Sequence, residues 1–322
     1  MCKSESIKVY EVTKETAEKL KVDEEELMYI ETEYGEKSVE IRSNFSVRHD
    51  NLKPEEYRLK CHIKEKLDKL RAVKGEILIA TYGGERPKGS DIENLLFYNI
   101  GTGAFSKVFQ SSKEMKQVAF KMDSTSQENQ SSHKYKYEVV CSKNVEKDNL
   151  CGKTLIAKWN GITIGRTLPQ KPDEYYAALR SVTVRKTNDS RDKPHENEVI
   201  RYGSEQCETF FGIKIELIVP DSKKSIHPVS VMKHLLDGVI CAFHGEDEDG
   251  STWKALEKRF EKDAYEKLWE NKSDSWNLLG KQKYLSSSKG WNPEDDRLKF
   301  GWIIVKCEGE EYKMSGEIYN WD

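Results

Sequence analysis

The ten residues Phe211 to Pro220 read FGIKIELIVP, and they constrain the fold more tightly than any other stretch of the chain. Ile213, Ile215, Leu217 and Val219 fall on one face at period two, with Lys214 and Glu216 on the other. That is the pattern of a strand with one side in a core. A loop follows, and then a helix over about 228–244. Pro228 suits its first turn, where a missing N–H costs nothing, and Gly245 suits its end. The chain is thereby committed to at least one strand–loop–helix unit.

A second unit of the same kind lies upstream. Gly75 to Tyr82 (GEILIATY) is short, apolar and flanked by glycines, as a buried strand is. Residues 83–90 (GGERPKGS) form a loop by their Gly and Pro content. A short helix opens at Asp91 and is ended by Gly101-Thr102-Gly103. Both loops are basic, with Arg86 and Lys88 in the first and Lys223 and Lys224 in the second. The recurrence fits a duplication. It also fits coincidence, since strand–loop–helix is a common unit.

Length sets the frame for these units. A chain of 322 residues holds about two domains at roughly 100–200 residues each. The polar run DSTSQENQSSHK at 123–134 divides them. This gives an N-terminal domain at 1–125, a linker or long loop at 126–134 and an aromatic-rich C-terminal domain at 135–322. The expected class is α+β, with mixed or antiparallel sheets and packed helices. Further strands are expected at 118–122, 135–141 and 154–164, and helices at 13–20 and 252–270. The stretch 53–63 is charged and ambiguous, and 187–197 is a polar loop. Phe300 to Tyr319 reads as a strand pair around Glu308-Gly309-Glu310. Six of the seven tryptophans lie after residue 250, which points to a second core rich in aromatic rings.

Several function classes are disfavoured by composition. The seven cysteines are scattered and form no C-x-x-C pair, which argues against a disulfide framework and a zinc ribbon. No apolar run approaches the ~20 residues of a membrane span, and the first residues lack the apolar stretch of a signal peptide. A cytoplasmic protein without a membrane partner is expected. Gly-x₄-Gly-Lys-Ser/Thr is absent and no G-x-G-x-x-G follows a strand, so no nucleotide cofactor is expected. The net charge of −3 lacks the basic footprint of a nucleic-acid binder, although a local basic patch is compatible with it.

Three side-chain sets could carry chemistry. Asp91 and Glu93 are two residues apart at a helix start, where a carboxylate pair could join a third acid on Mg²⁺. The plainer reading makes Ser90 and Glu93 a capping box and lets the acids complement the helix dipole. His234, Asp237, Cys241 and His244 follow at spacings of three and four within about an 80° sector of one helix. A solvated or partner-facing helix side fits them better than zinc or a transition metal, because one straight helix rarely lets four ligands wrap round an ion. Cys241 with His244, or Cys61 beside His62, would suit a nucleophilic hydrolase only with a contact and an orienting group.

His227 to Val239 (HPVSVMKHLLDGV) resembles the helix of RusA-type Holliday-junction resolvases, whose pattern is roughly D-x-D-N-x-x-K-x-x-x-D-x-L. Lys233, Leu236 and Asp237 fall in its register, after a strand and a basic loop. Gly290 to Leu298 (GWNPEDDRL) is similar to the family's G-x-W-x-D-D-x-x-I/L segment, which a strand pair follows. The chain departs where the family has its leading acids, which are His227 and Val229 here, and about 50 residues separate the helix from Asp295-Asp296. Asp91-Ile92-Glu93-Asn94 matches the acids, but Phe97 replaces the lysine.

The resemblance implies a Mg²⁺-dependent nuclease or its inactive relative. In it Asp91, Glu93, Asp295 and Asp296 would be catalytic, and Asp91, Glu93 and Asp296 would hold the metal. Arg86, Lys88, Lys223, Lys224 and Lys233 would contact DNA or RNA phosphates. The alternative is a non-catalytic, protein-binding subunit of a larger intracellular complex.

Overall fold

The computed structural model describes residues 6–9, 30–49, 51–84, 86, 91–112, 114–123, 133–203, 206–207, 209–245, 247, 249–281, 283–285, 290–293 and 295–321. It contains two compact units, Met1–Glu146 and Lys147–Asp322. Each combines helices with a sheet of parallel and antiparallel pairs, so the α+β class holds. The helix expected at 13–20 lies outside the described residues, as does the polar stretch from 124 to 132. No described helix is long and apolar enough to cross a membrane.

In the first unit the elements are β1 (Ser6–Val9), β2 (Ile30–Gly35), β3 (Ser38–Ser43), α1 (Pro54–Leu67), β4 (Glu76–Gly83), β5 (Met115–Met122) and β6 (His133–Cys141). Their order in the sheet is β1-β2-β3-β6-β4-β5. β4 runs parallel to β5 and antiparallel to β6. A strand paired on both edges and covered on both faces has no need of polar alternation, and Ile77, Leu78, Ala80 and Tyr82 are all fully buried. The ambiguous stretch 53–63 resolves as α1. Pro54 takes the first turn, and the Glu56 carboxylate accepts the Lys53 backbone N–H at 2.9 Å. Leu59, Ile63 and Leu67 recur every four residues and are fully buried, each worth roughly 1.5–3 kcal/mol. β6 belongs with this unit, whose border falls after Glu146 and beyond the polar run at 126–134.

The helix α2 (Ser142–Asn149) leads to the second unit. There follow β7 (Thr154–Gly165), α3 (Pro172–Arg180), β8 (Thr183–Thr187), β9 (Glu198–Tyr202), β10 (Phe211–Val219), α4 (Pro228–Ala242), α5 (Ser251–Arg259), α6 (Lys262–Glu270), β11 (Leu298–Cys307) and β12 (Tyr312–Asn320). The strand order is β11-β10-β12-β7-β9-β8. The alternation expected for β10 is present: Ile213, Ile215, Leu217 and Val219 are fully buried, while Glu216 pairs with Lys306 at 2.7 Å on the other face.

Two expectations need correction. β11 and β12 exist, but β10 lies between them, parallel to β11 and antiparallel to β12, so they are not a hairpin pair. The backbone N–H and C=O groups along the two edges of β10 pair with one neighbour each. The single helix expected at 252–270 is two, because Phe260 adopts an extended backbone (φ −100°, ψ 148°). Its ring there lies 6.3 Å from that of Tyr176.

One arrangement occurs in both units. β5-β4-β6-β3 and β11-β10-β12-β7 share the same order, the same parallel pair and the same antiparallel pairs. The residue that follows the parallel pair closes it in the same way. Asp123 donates its backbone N–H to the Tyr82 carbonyl at 2.8 Å, and Glu308 donates to that of Val219 at 2.9 Å.

Candidate functional site

In open sheets with parallel strands, ligand sites gather beyond the carboxyl ends of those strands. At that end of β4 the Tyr82 hydroxyl meets His133 Nδ1 at 2.5 Å, and Lys134 pairs with the Asp123 carboxylate. Burial pushes the Tyr82 phenol far above its ordinary range, with the Arg86 charge acting in the opposite sense. Arg86 follows Gly84, whose φ of +105° suits only glycine. Lys88 and the capping partner Ser90 lie outside the described residues.

The helix expected at Asp91 is mostly one wide turn, Asn94–Tyr98, closed by Asn99 N–H donating to the Asn94 carbonyl at 2.8 Å. Such π-type turns are rare. Asn94 Nδ2 donates to Asp91 Oδ2 at 2.8 Å, whereas Glu93 is turned inward and is 2% exposed. Two residues apart on a helical turn are about 200° apart, so the two carboxylates diverge.

The candidate residues of the second unit are spread along the sheet. Lys223 and Lys224 are exposed just past the carboxyl end of β10, in and after the turn Asp221–Lys223. The turn Asp295–Arg297, with Asp296 exposed, precedes the amino end of β11. β10 and β11 are parallel from Phe211↔Leu298 to Val219↔Cys307. At about 3.3 Å per residue, basic loop and acidic turn therefore stand roughly 30 Å apart, at opposite ends of the pair. Between them, Lys233 Nζ lies 3.1 Å from Asp237 Oδ1 along α4, and Asp237 is 8% exposed.

The solvated face expected for α4 is present only at His234. Asp237, Cys241 and His244 are buried, with α3 packed on this side of the helix at Gly238 and the segments at Gly280, Tyr284 and Pro293 against Cys241 and His244. The approach is so close that a Cβ at Gly238 would come within 2.4 Å of the Pro172 carbonyl oxygen. His244 sets Nε2 3.0 Å from the Pro293 carbonyl and Nδ1 3.3 Å from that of Gly280. Burial lowers its pKa to about 4, helped by the charges of Arg297 and Arg180 and opposed by the two carbonyls. Cys241 Sγ faces the Tyr284 carbonyl at 4.0 Å. On α1, His62 Nε2 meets Thr32 Oγ1 at 2.7 Å, and the neighbouring Cys61 raises the Tyr57 phenol through a side-chain hydrogen bond. Neither Cys–His set is arranged as nucleophile, base and orienting group.

A cluster around Arg180 was not anticipated. Arg180 ends α3 and is 3% exposed. Its Cζ lies 5.6 Å from the Tyr176 ring and 5.2 Å from the Trp276 ring. The hydroxyls of Tyr176 and Tyr284 meet at 2.7 Å, and Trp291 stacks parallel to Tyr284 at 6.2 Å. A signal did exist in the sequence: Tyr175, Tyr176, Leu179 and Arg180 fall on one stripe of a short helix, which places an arginine in an apolar register.

Among the described residues, no group of three His, Cys, Asp or Glu side chains is placed to hold a metal ion. With Glu93 internal and Asp91 bonded to Asn94, the described residues do not fit the Mg²⁺ that the RusA resemblance implies. No protein-family model, no curated protein and no solved structure matches this chain.

Proposed function

We propose that this chain is a non-catalytic binding protein of RusA-like descent, built from two copies of one strand–helix module, with another protein as its partner. The observation that carries the proposal is that the acids matched to the family do not converge, two of them being buried. Glu93 is 2% exposed, and Asp237, also buried, is engaged by Lys233. A metal ion serving phosphodiester cleavage needs carboxylates that reach one point open to substrate; these do not. Duplication is supported by the shared strand order and by the matching Asp123 and Glu308 closures. Descent is supported by the succession of strand, basic loop, helix and two later strands in the second unit.

A protein partner is favoured by the surface of α6. Trp269 is 49% exposed. Its ring lies 5.2 Å from that of Trp253, and Lys272 stands 4.4 Å above it. Exposed tryptophans of this kind anchor protein interfaces. Lys262, Lys267 and Lys272 alternate there with Asp263, Glu266 and Glu270, a mixture that gives a polyanion no net attraction.

The test compares the wild type with Trp269→Ala in two assays. The proposal expects no Mg²⁺-dependent cleavage of a four-way DNA junction by either protein. It also expects a native partner complex that the variant loses while its unfolding midpoint stays within a few degrees. Junction cleavage abolished by Asp91→Ala with Glu93→Ala would overturn it.

A further inference from the structure

We infer that the Arg180 cluster is a binding site for a small aromatic or apolar carboxylate. Its geometry sets an unmet demand. The guanidinium is 3% exposed, and its Nη1 is buried with no hydrogen-bond partner. Among the described residues no carboxylate forms an ion pair with it. The titratable groups that act on it are the phenols of Tyr176 and Tyr284, both also reached by side-chain hydrogen bonds from the guanidinium, and burial raises the Tyr284 phenol well above its ordinary range. His244, also nearby, is held neutral.

Arg297 shows the contrast. It is satisfied by the backbone carbonyls of Thr209, Leu279 and Cys207. A buried guanidinium without a counter-charge is strongly unfavourable, and ring faces at 5.2 and 5.6 Å return only part of the lost hydration. An oxyanion would complete the site. Guanidinium N–H groups match a carboxylate in two-point geometry, and the adjoining Tyr176–Tyr284 hydroxyl pair supplies a further donor. One positive charge suits a monoanion better than a phosphate dianion. The indoles of Trp276 and Trp291 suit an apolar body on that anion.

The experiment uses the full chain in a carboxylate-free chloride buffer and phenylacetate as probe, with acetate and inorganic phosphate in parallel. Thermal unfolding of the wild type is expected to rise by several degrees and to saturate with phenylacetate, with a smaller rise for acetate and none for phosphate. Arg180→Met should unfold no lower than the wild type in plain buffer and show no response to phenylacetate. Tyr284→Phe, which keeps the ring, should weaken the probe about tenfold, as loss of one hydrogen bond to a charged group does. No response in the wild type overturns the inference. So does an equal response in Arg180→Met, or in Tyr284→Phe if Arg180→Met fails to fold. A rise with phosphate alone overturns the carboxylate assignment.

Discussion

The Lys233 ammonium lies 3.1 Å from Asp237 Oδ1, one turn along α4, and holds this aspartate in a largely shielded ion pair. The pair is shielded by α3, so it is worth more than a surface bridge. Asp237→Ala is expected to lower stability by about 1–2 kcal/mol, measured by urea unfolding. Adding Lys233→Ala should cost less than the two single changes summed. Strict additivity would show that the two side chains do not interact.

Gly238 carries the close approach of α3 and α4. A Cβ there would meet the Pro172 carbonyl oxygen at 2.4 Å and Tyr175 Cβ at 2.8 Å. On an exposed helix, Gly→Ala would stabilise by about 1 kcal/mol. Here overpacking of about 1–3 kcal/mol or more acts against that gain. Gly238→Ala is therefore expected to be destabilising in a urea titration, and a stabilised variant would mean that the two helices are not in contact.

His244 gives the fold an acid sensitivity. Its pKa falls from an ordinary 6.5 to about 4 in the folded chain. Between those values the unfolded chain binds a proton that the folded one refuses, so stability decreases as pH falls through that window. The contribution is complete above about pH 6.5 and levels off below about pH 4. Its full size is on the order of 3 kcal/mol, at about 1.4 kcal/mol per pH unit. Stability measured from pH 7 to pH 4 should show this slope, and His244→Gln should flatten it. An unchanged slope in the variant would assign the effect to other groups.

Much of the architecture was legible in the chain because period-two and period-four patterns are local. β10 announces itself through Ile213, Ile215, Leu217 and Val219, and α4 through Pro228 and its apolar positions. What those patterns cannot carry is neighbourhood. Nothing in Leu298 to Asn320 says that β10 will separate β11 from β12, because strand order is fixed by non-local pairing. The polar stripe of α4 suggests solvent, and only the packing of α3 against Gly238, with the segments at Gly280, Tyr284 and Pro293 against Cys241 and His244, explains why Asp237, Cys241 and His244 are buried. Asp91 and Glu93 read as a pair in sequence and diverge once a helical turn separates their directions. The Arg180 cluster draws on α3, the turn Asp274–Trp276 and the segment around Tyr284, which come together only in the folded unit.

Metal binding by Asp91 and Glu93 is most directly measured by electron paramagnetic resonance of Mn²⁺, which reports the free aquo ion. A fold that keeps Glu93 internal predicts that an equimolar amount of the protein leaves the free Mn²⁺ signal unchanged at tens of micromolar. Stoichiometric loss of that signal, restored by Glu93→Gln, would contradict a non-catalytic role for these acids.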